Sequence, residues 1–184
     1  MRDARNAPSA DFPNAGMAGR HVAWRRPVLL AATSSLALAI GLLVYLTDRN
    51  ASHALLVPGA GALAGHHVFG AFGQWLPSFV HPLAFSLFTV AVLPPSSASR
   101  DGVCLAWGAV NVAFEIGQHP QLSARLAELL QDSLGHMPAM QALARYFVHG
   151  TFDPGDIIAA LLGSLVAAAV LRITQDHGEH KHAN

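Results

Sequence analysis

Three polar residues sit in one otherwise apolar stretch, GVCLAWGAVNVAFEIGQ (102–118): Asn111, Glu115 and Gln118. Spacings of four and three put all three on one stripe of a helix. A carboxylate among apolar residues costs about 3 kcal/mol or more if it faces lipid, so the stripe must face protein or a wet cavity. Two readings follow, a polar pocket or a ladder of hydrogen bonds between helices. As pocket chemistry, Glu115 has the type of a general base, and His81, in Val80-His81-Pro82, titrates near neutrality and has the type of an acid or a phosphate donor. Asp156 would orient its neighbours, and Arg145 has a guanidinium able to bind an anion. Asp153 has a local role open to it. It precedes Pro154, as an N-cap precedes a proline at N1, and Asp156 then falls at N3, where the positive helix end suits an acid. The expected site is therefore His81, Glu115 and Asp156 as catalytic groups, with Asn111, Gln118, Arg145 and Asp153 as ligand-binding groups.

The elements that must hold these residues are apolar helices. Hydrophobic residues make up 52% of the 184 and charged residues 12%, about half the charged share of a soluble domain. After Arg25-Arg26-Pro27 come nineteen uncharged residues, 28–46, enough to cross most of a hydrocarbon core of about 30 Å. Small residues at Ala37-Leu38-Ala39 resemble a signal-peptide cleavage site, but the apolar run continues past them to Leu46, which favours a membrane span. Further spans are expected at about 75–93, with Pro94-Pro95 as its stop, 102–118 and 155–171. Between the last two, Leu122, Leu126, Leu129, Leu130 and Leu134 recur at helical spacing opposite Arg125, Glu128 and Asp132, and Pro138 opens a second short helix. The pair reads as amphipathic helices at the membrane interface. The expected fold is all-α, a transmembrane bundle of about four helices plus one or two amphipathic interfacial helices. It spans 24–172, between a disordered tail at 1–23 and a polar, His-rich tail at 173–184. Residues 50–73, with five glycines and a proline, read as a loop or short interfacial pieces.

Eight of the eleven lysines and arginines fall in the tails and in the short loop at Arg100, against Arg49, Arg125 and Arg145 on the other side. With four spans, that bias puts both termini on the cytoplasmic side, and the membrane expected is the inner (plasma) membrane. His81, Glu115, Gln118, Asp153 and Asp156 then gather near the outer interface. A balanced charge gives no pull toward nucleic acid. The lone cysteine, Cys104, permits no internal disulfide and reads as a packing residue. His66-His67 and the tail histidines His177, His180 and His182 read as incidental, so no metal site is expected, and no motif specifies a cofactor.

Val80-His81-Pro82-Leu83-Ala84-Phe85, Phe114-Glu115-Ile116-Gly117-Gln118 and Thr151-Phe152-Asp153-Pro154-Gly155-Asp156-Ile157-Ile158-Ala159, closed by Gly163, together resemble the VanZ-like family over roughly residues 28–172. Two positions depart from its pattern. Ala160 stands where the family usually has Asn, and Gly150-Thr151 where an Arg is common, with Arg145 on the preceding helix as its stand-in. The resemblance implies a compact four-helix membrane protein of the cell envelope, in some members linked to glycopeptide-antibiotic tolerance and similar to proteins proposed to act on lipid head groups. A membrane lipid is then the expected partner. The alternative is a non-catalytic scaffold that binds another membrane protein and uses the same polar residues structurally.

Overall fold

A computed structural model describes residues 15–48, 68–93 and 97–179. Among them the chain forms six helices and no strand: α1 (Ala15–Thr47), α2 (Phe72–Val92), α3 (Ser97–Gly117), α4 (Pro120–Leu134), α5 (Pro138–His149) and α6 (Pro154–Glu179). The helix α1 begins inside the stretch expected to be an irregular tail, and residues 1–14 of that tail lie outside the described residues. Met17, Ala18 and Arg20 are good helix formers, and once the apolar span has nucleated a helix, extending it costs little. Extension also carries α6 past Leu171, into the segment expected as a polar tail. Most of the glycine-rich segment 50–73, His66-His67 included, lies outside the described residues, as do His180 and His182.

Among the described residues, three helical segments are long and apolar enough to cross a membrane, Arg25–Thr47, Phe72–Val92 and Pro154–Thr174. Only 28%, 39% and 33% of their apolar windows are buried inside the protein, so most of that surface needs an apolar surrounding. The fourth expected span, α3, has the same 21 residues as α2 but is not among them, because Arg100, Asp101, Asn111 and Glu115 dilute it. It nevertheless runs antiparallel along the length of α6. At one end Arg172 Nη2 meets Asp101 Oδ2 at 3.0 Å, mid-helix Gly108 faces Ser164, and at the other end the Asp153 N–H reaches Glu115.

α2 is the central helix, packed against α1, α6 and α3. Pro77 and Pro82 lie inside it, both buried. At Gly163 the backbones of α6 and α2 approach so closely that a Cβ there would strike the Phe79 carbonyl. At the end that holds Arg26, Arg100 and Arg172, the core is formed by Leu30, Leu87, Val90, Cys104, Ala167 and Leu171, which gives Cys104 the packing role its surroundings in the sequence predict.

α4 and α5 form the expected amphipathic hairpin. α4 starts at Pro120, with His119 Nδ1 accepting from the Gln121 N–H at 3.3 Å as its cap. Buried Ala144 and Phe147 mark the inward face of α5, and Phe147 stacks with Phe114 of α3 at a centroid distance of 5.8 Å. A Gly163→Ala variant tests the close approach of α2 and α6. Helix propensity alone would favour alanine by about 0.5–1 kcal/mol, but the carbonyl it meets is backbone and cannot swing away. The expected outcome is a net loss of about 1–3 kcal/mol, read as a lower thermal midpoint of the purified protein in detergent.

Candidate functional site

The end of the bundle where α3 stops and α6 starts is organised by Asp153. As the N-cap of α6, its Oδ1 accepts from the Gly155 N–H at 2.8 Å, satisfying one of the donors that a helix start leaves open. Its Oδ2 accepts from Trp75 Nε1 of α2 at 3.1 Å. Its own backbone N–H donates to Glu115 Oε1 of α3 at 2.7 Å. One residue therefore ties three helices, and the capping role read from Asp153-Pro154 is present in the structure.

Beside this junction is a cavity of about 910 Å³. Of the residues expected at a site, His81, Asn111, Glu115, Gln118, Arg145 and Asp156 all line it. Asp153 does not, and acts through its bond to Glu115. The amphipathic hairpin and the turn into α6 supply Arg145, Tyr146, His149, Gly150 and Thr151, α1 supplies Tyr45, and α2 and α3 supply an aromatic wall. In that wall His81 stacks over Phe85 at 6.0 Å and Phe85 over Trp107 at 4.8 Å, while Trp107 Nε1 donates to Thr89 Oγ1 at 3.0 Å and so fixes the indole. Ala160 of α6 is also on the lining.

The polar stripe of α3 also meets hydrogen-bond partners within the protein. Glu115 and Gln118 are both buried, with 8% of each exposed. Gln118 Nε2 donates to the Tyr146 hydroxyl at 2.6 Å, joining α3 to α5, and Asn111 Nδ2 donates back to the Trp107 carbonyl at 2.8 Å. Glu115 and Gln118 thus serve both the pocket and the ladder, lining the cavity while also bonding a neighbouring segment, whereas Asn111 lines the cavity and bonds back within its own helix. Among the described residues no three His, Cys, Asp or Glu side chains gather as a metal ion would require.

Tyr45, Trp107, Tyr146 and His149 line the cavity but were not singled out in the sequence. Tyr45 ends an apolar run and reads as an interfacial anchor, and Trp107 reads as one more apolar residue of its helix. His149 carries the usable signal, since it lies four residues beyond Arg145 on the same face of the short amphipathic helix, whereas Tyr146, next to Arg145, has none of that kind. Neither family models, nor individual curated proteins, nor solved structures show a match to this chain.

The Glu115 bond makes a sharp prediction about stability. Glu115→Gln keeps an oxygen able to accept from the Asp153 N–H and should leave the thermal midpoint nearly unchanged. Glu115→Leu leaves that partly buried N–H without its acceptor and should cost about 1–3 kcal/mol, measured by thermal unfolding in detergent.

Proposed function

We propose that the chain is a VanZ-like protein of the inner membrane with four spans and both termini cytoplasmic, and that its outward-facing cavity binds or processes a phosphate-bearing lipid head group. The observation that carries this reading is the cavity itself. It brings together on one void the ionisable residues of α2, α3, α5 and α6, at a size within the roughly 300–1,000 Å³ typical of small-molecule sites. Arg145 is the phosphate clamp, His81 the proton donor or hydrogen-bond donor to phosphate, Glu115 the general base and Asp156 the orienting carboxylate. Two carboxylates by themselves would repel a phosphate. Arg145 on the same lining supplies the opposing charge.

The fourth span in this reading is α3. Its support is the antiparallel run alongside α6, from the Asp101–Arg172 pair to the Glu115–Asp153 bond. A helix that follows a membrane-crossing neighbour from end to end crosses with it. Cysteine accessibility separates four spans from three. In a Cys104→Ala background, Ser99→Cys should be labelled only from the cytoplasmic side and Ser123→Cys only from outside. Labelling of both from one side would remove α3 from the membrane and, with it, the orientation.

A second reading, a scaffold that binds another membrane protein, is favoured by the internal bonds of Glu115, Gln118 and Asn111, which give each of these side chains a structural task. Glu115→Gln distinguishes the two. If Glu115 is the base, the stable variant should lose about a hundredfold or more in turnover of a phospholipid head group, and phosphate-bearing lipid found with the purified wild type by mass spectrometry should identify the substrate class. A variant as stable and as active as the wild type would leave the scaffold as the surviving reading.

A further inference from the structure

At the opposite end of the bundle from the cavity, two arginines point inward. Arg26 lies four residues before Leu30, and Arg100 four before Cys104, so each shares a helix face with a residue of the core. Their guanidinium groups, from α1 and α3, lie close enough for the two charges to act on one another. Arg26 Nε and Nη2 and Arg100 Nε are buried, and among the described residues no acceptor meets them. The neighbouring carboxylate does not serve, because Asp101 is paired with Arg172 at 3.0 Å. Among the side chains described at this end, four arginines (Arg25, Arg26, Arg100 and Arg172) stand against that one aspartate. Buried guanidinium N–H groups that face a like charge are costly, and the anion that best matches two such forks is a phosphate.

We infer that Arg26 and Arg100 form a second site, for the anionic phosphate of a lipid in the leaflet on this side of the membrane. On the orientation proposed above this is the cytoplasmic leaflet, whose anionic lipids attract basic segments. The phosphate sits between α1 and α3, two helices otherwise joined chiefly through α2 and α6, and so closes the arginine end of the bundle.

The test is native mass spectrometry of the full-length protein in zwitterionic detergent, titrated with phosphatidylglycerol, phosphatidylcholine or inorganic phosphate. Phosphatidylglycerol should be retained over phosphatidylcholine by about tenfold. Arg26→Gln combined with Arg100→Gln should abolish the preference. The same loss should be seen in an Arg145→Gln background, which separates this site from the outer cavity. Arg100→Glu supplies Arg26 with a carboxylate from within the protein, and should lose the preference while raising the thermal midpoint in the absence of lipid. A folded double variant that retains phosphatidylglycerol as the wild type does would overturn the site. Inorganic phosphate displacing phosphatidylglycerol at equal concentration would overturn the lipid as its source and support the arginine pair as a site for a free anion.

Discussion

The 2.7 Å bond from the Asp153 backbone N–H to the Glu115 carboxylate is the constraint on which the cavity end of the bundle depends. An apolar medium offers no water to satisfy a helix start or a carboxylate, so each must find its partner inside the protein. Here the two needs are met by each other. Asp153 caps α6 with one carboxylate oxygen, receives the Trp75 indole on the other and donates its backbone N–H to α3. With α2, α3 and α6 fixed at that point, the cavity has rigid walls. Gln118 and Tyr146 then bring the amphipathic hairpin to its rim.

Charged side chains of the long helices lie toward the two ends of the bundle, and the middle is held by close packing. Gly108 against Ser164, and Gly163 against the Phe79 carbonyl, let backbones approach where lipid provides no hydrophobic drive for helices to associate. The connection from α1 to α2 is pinned in the same economical way. Asp48 accepts from Thr47 Oγ1 at 2.7 Å and from the Phe69 N–H at 3.1 Å, so a single carboxylate binds the end of one helix to the approach of the next.

Much of the site was legible because intramembrane polar residues are rare enough to stand out. Glu115 and Gln118 announce themselves in an apolar stretch, and Asp153-Pro154 fixes a helix start to the residue. Their meeting required only that α3 and α6 run antiparallel, so that the end of one lies beside the start of the other. Less legible was the standing of α3. The residues that made it interesting, together with Arg100 and Asp101, are those that keep it out of the set of apolar spans. The contributions of Tyr45 and Trp107 were hidden for a different reason. Hydropathy and helical period give the face a residue occupies, but the neighbour that face will meet is a tertiary fact, and here it is Phe85 stacking on Trp107 that makes the wall. The early start of α1 reflects propagation from the apolar span, which composition alone does not register.

Pro82 carries a consequence beyond the shape of α2. A proline has no N–H to return to the carbonyl four residues earlier, so Ser78 loses its usual helical donor, and Ser78 is part of the cavity lining. A backbone oxygen keeps its partial charge at every pH, unlike His81 or Glu115. Through an imino acid, the fold thereby leaves, at a residue of the cavity lining, a backbone acceptor without its helical donor, and no protonation event can switch that acceptor off.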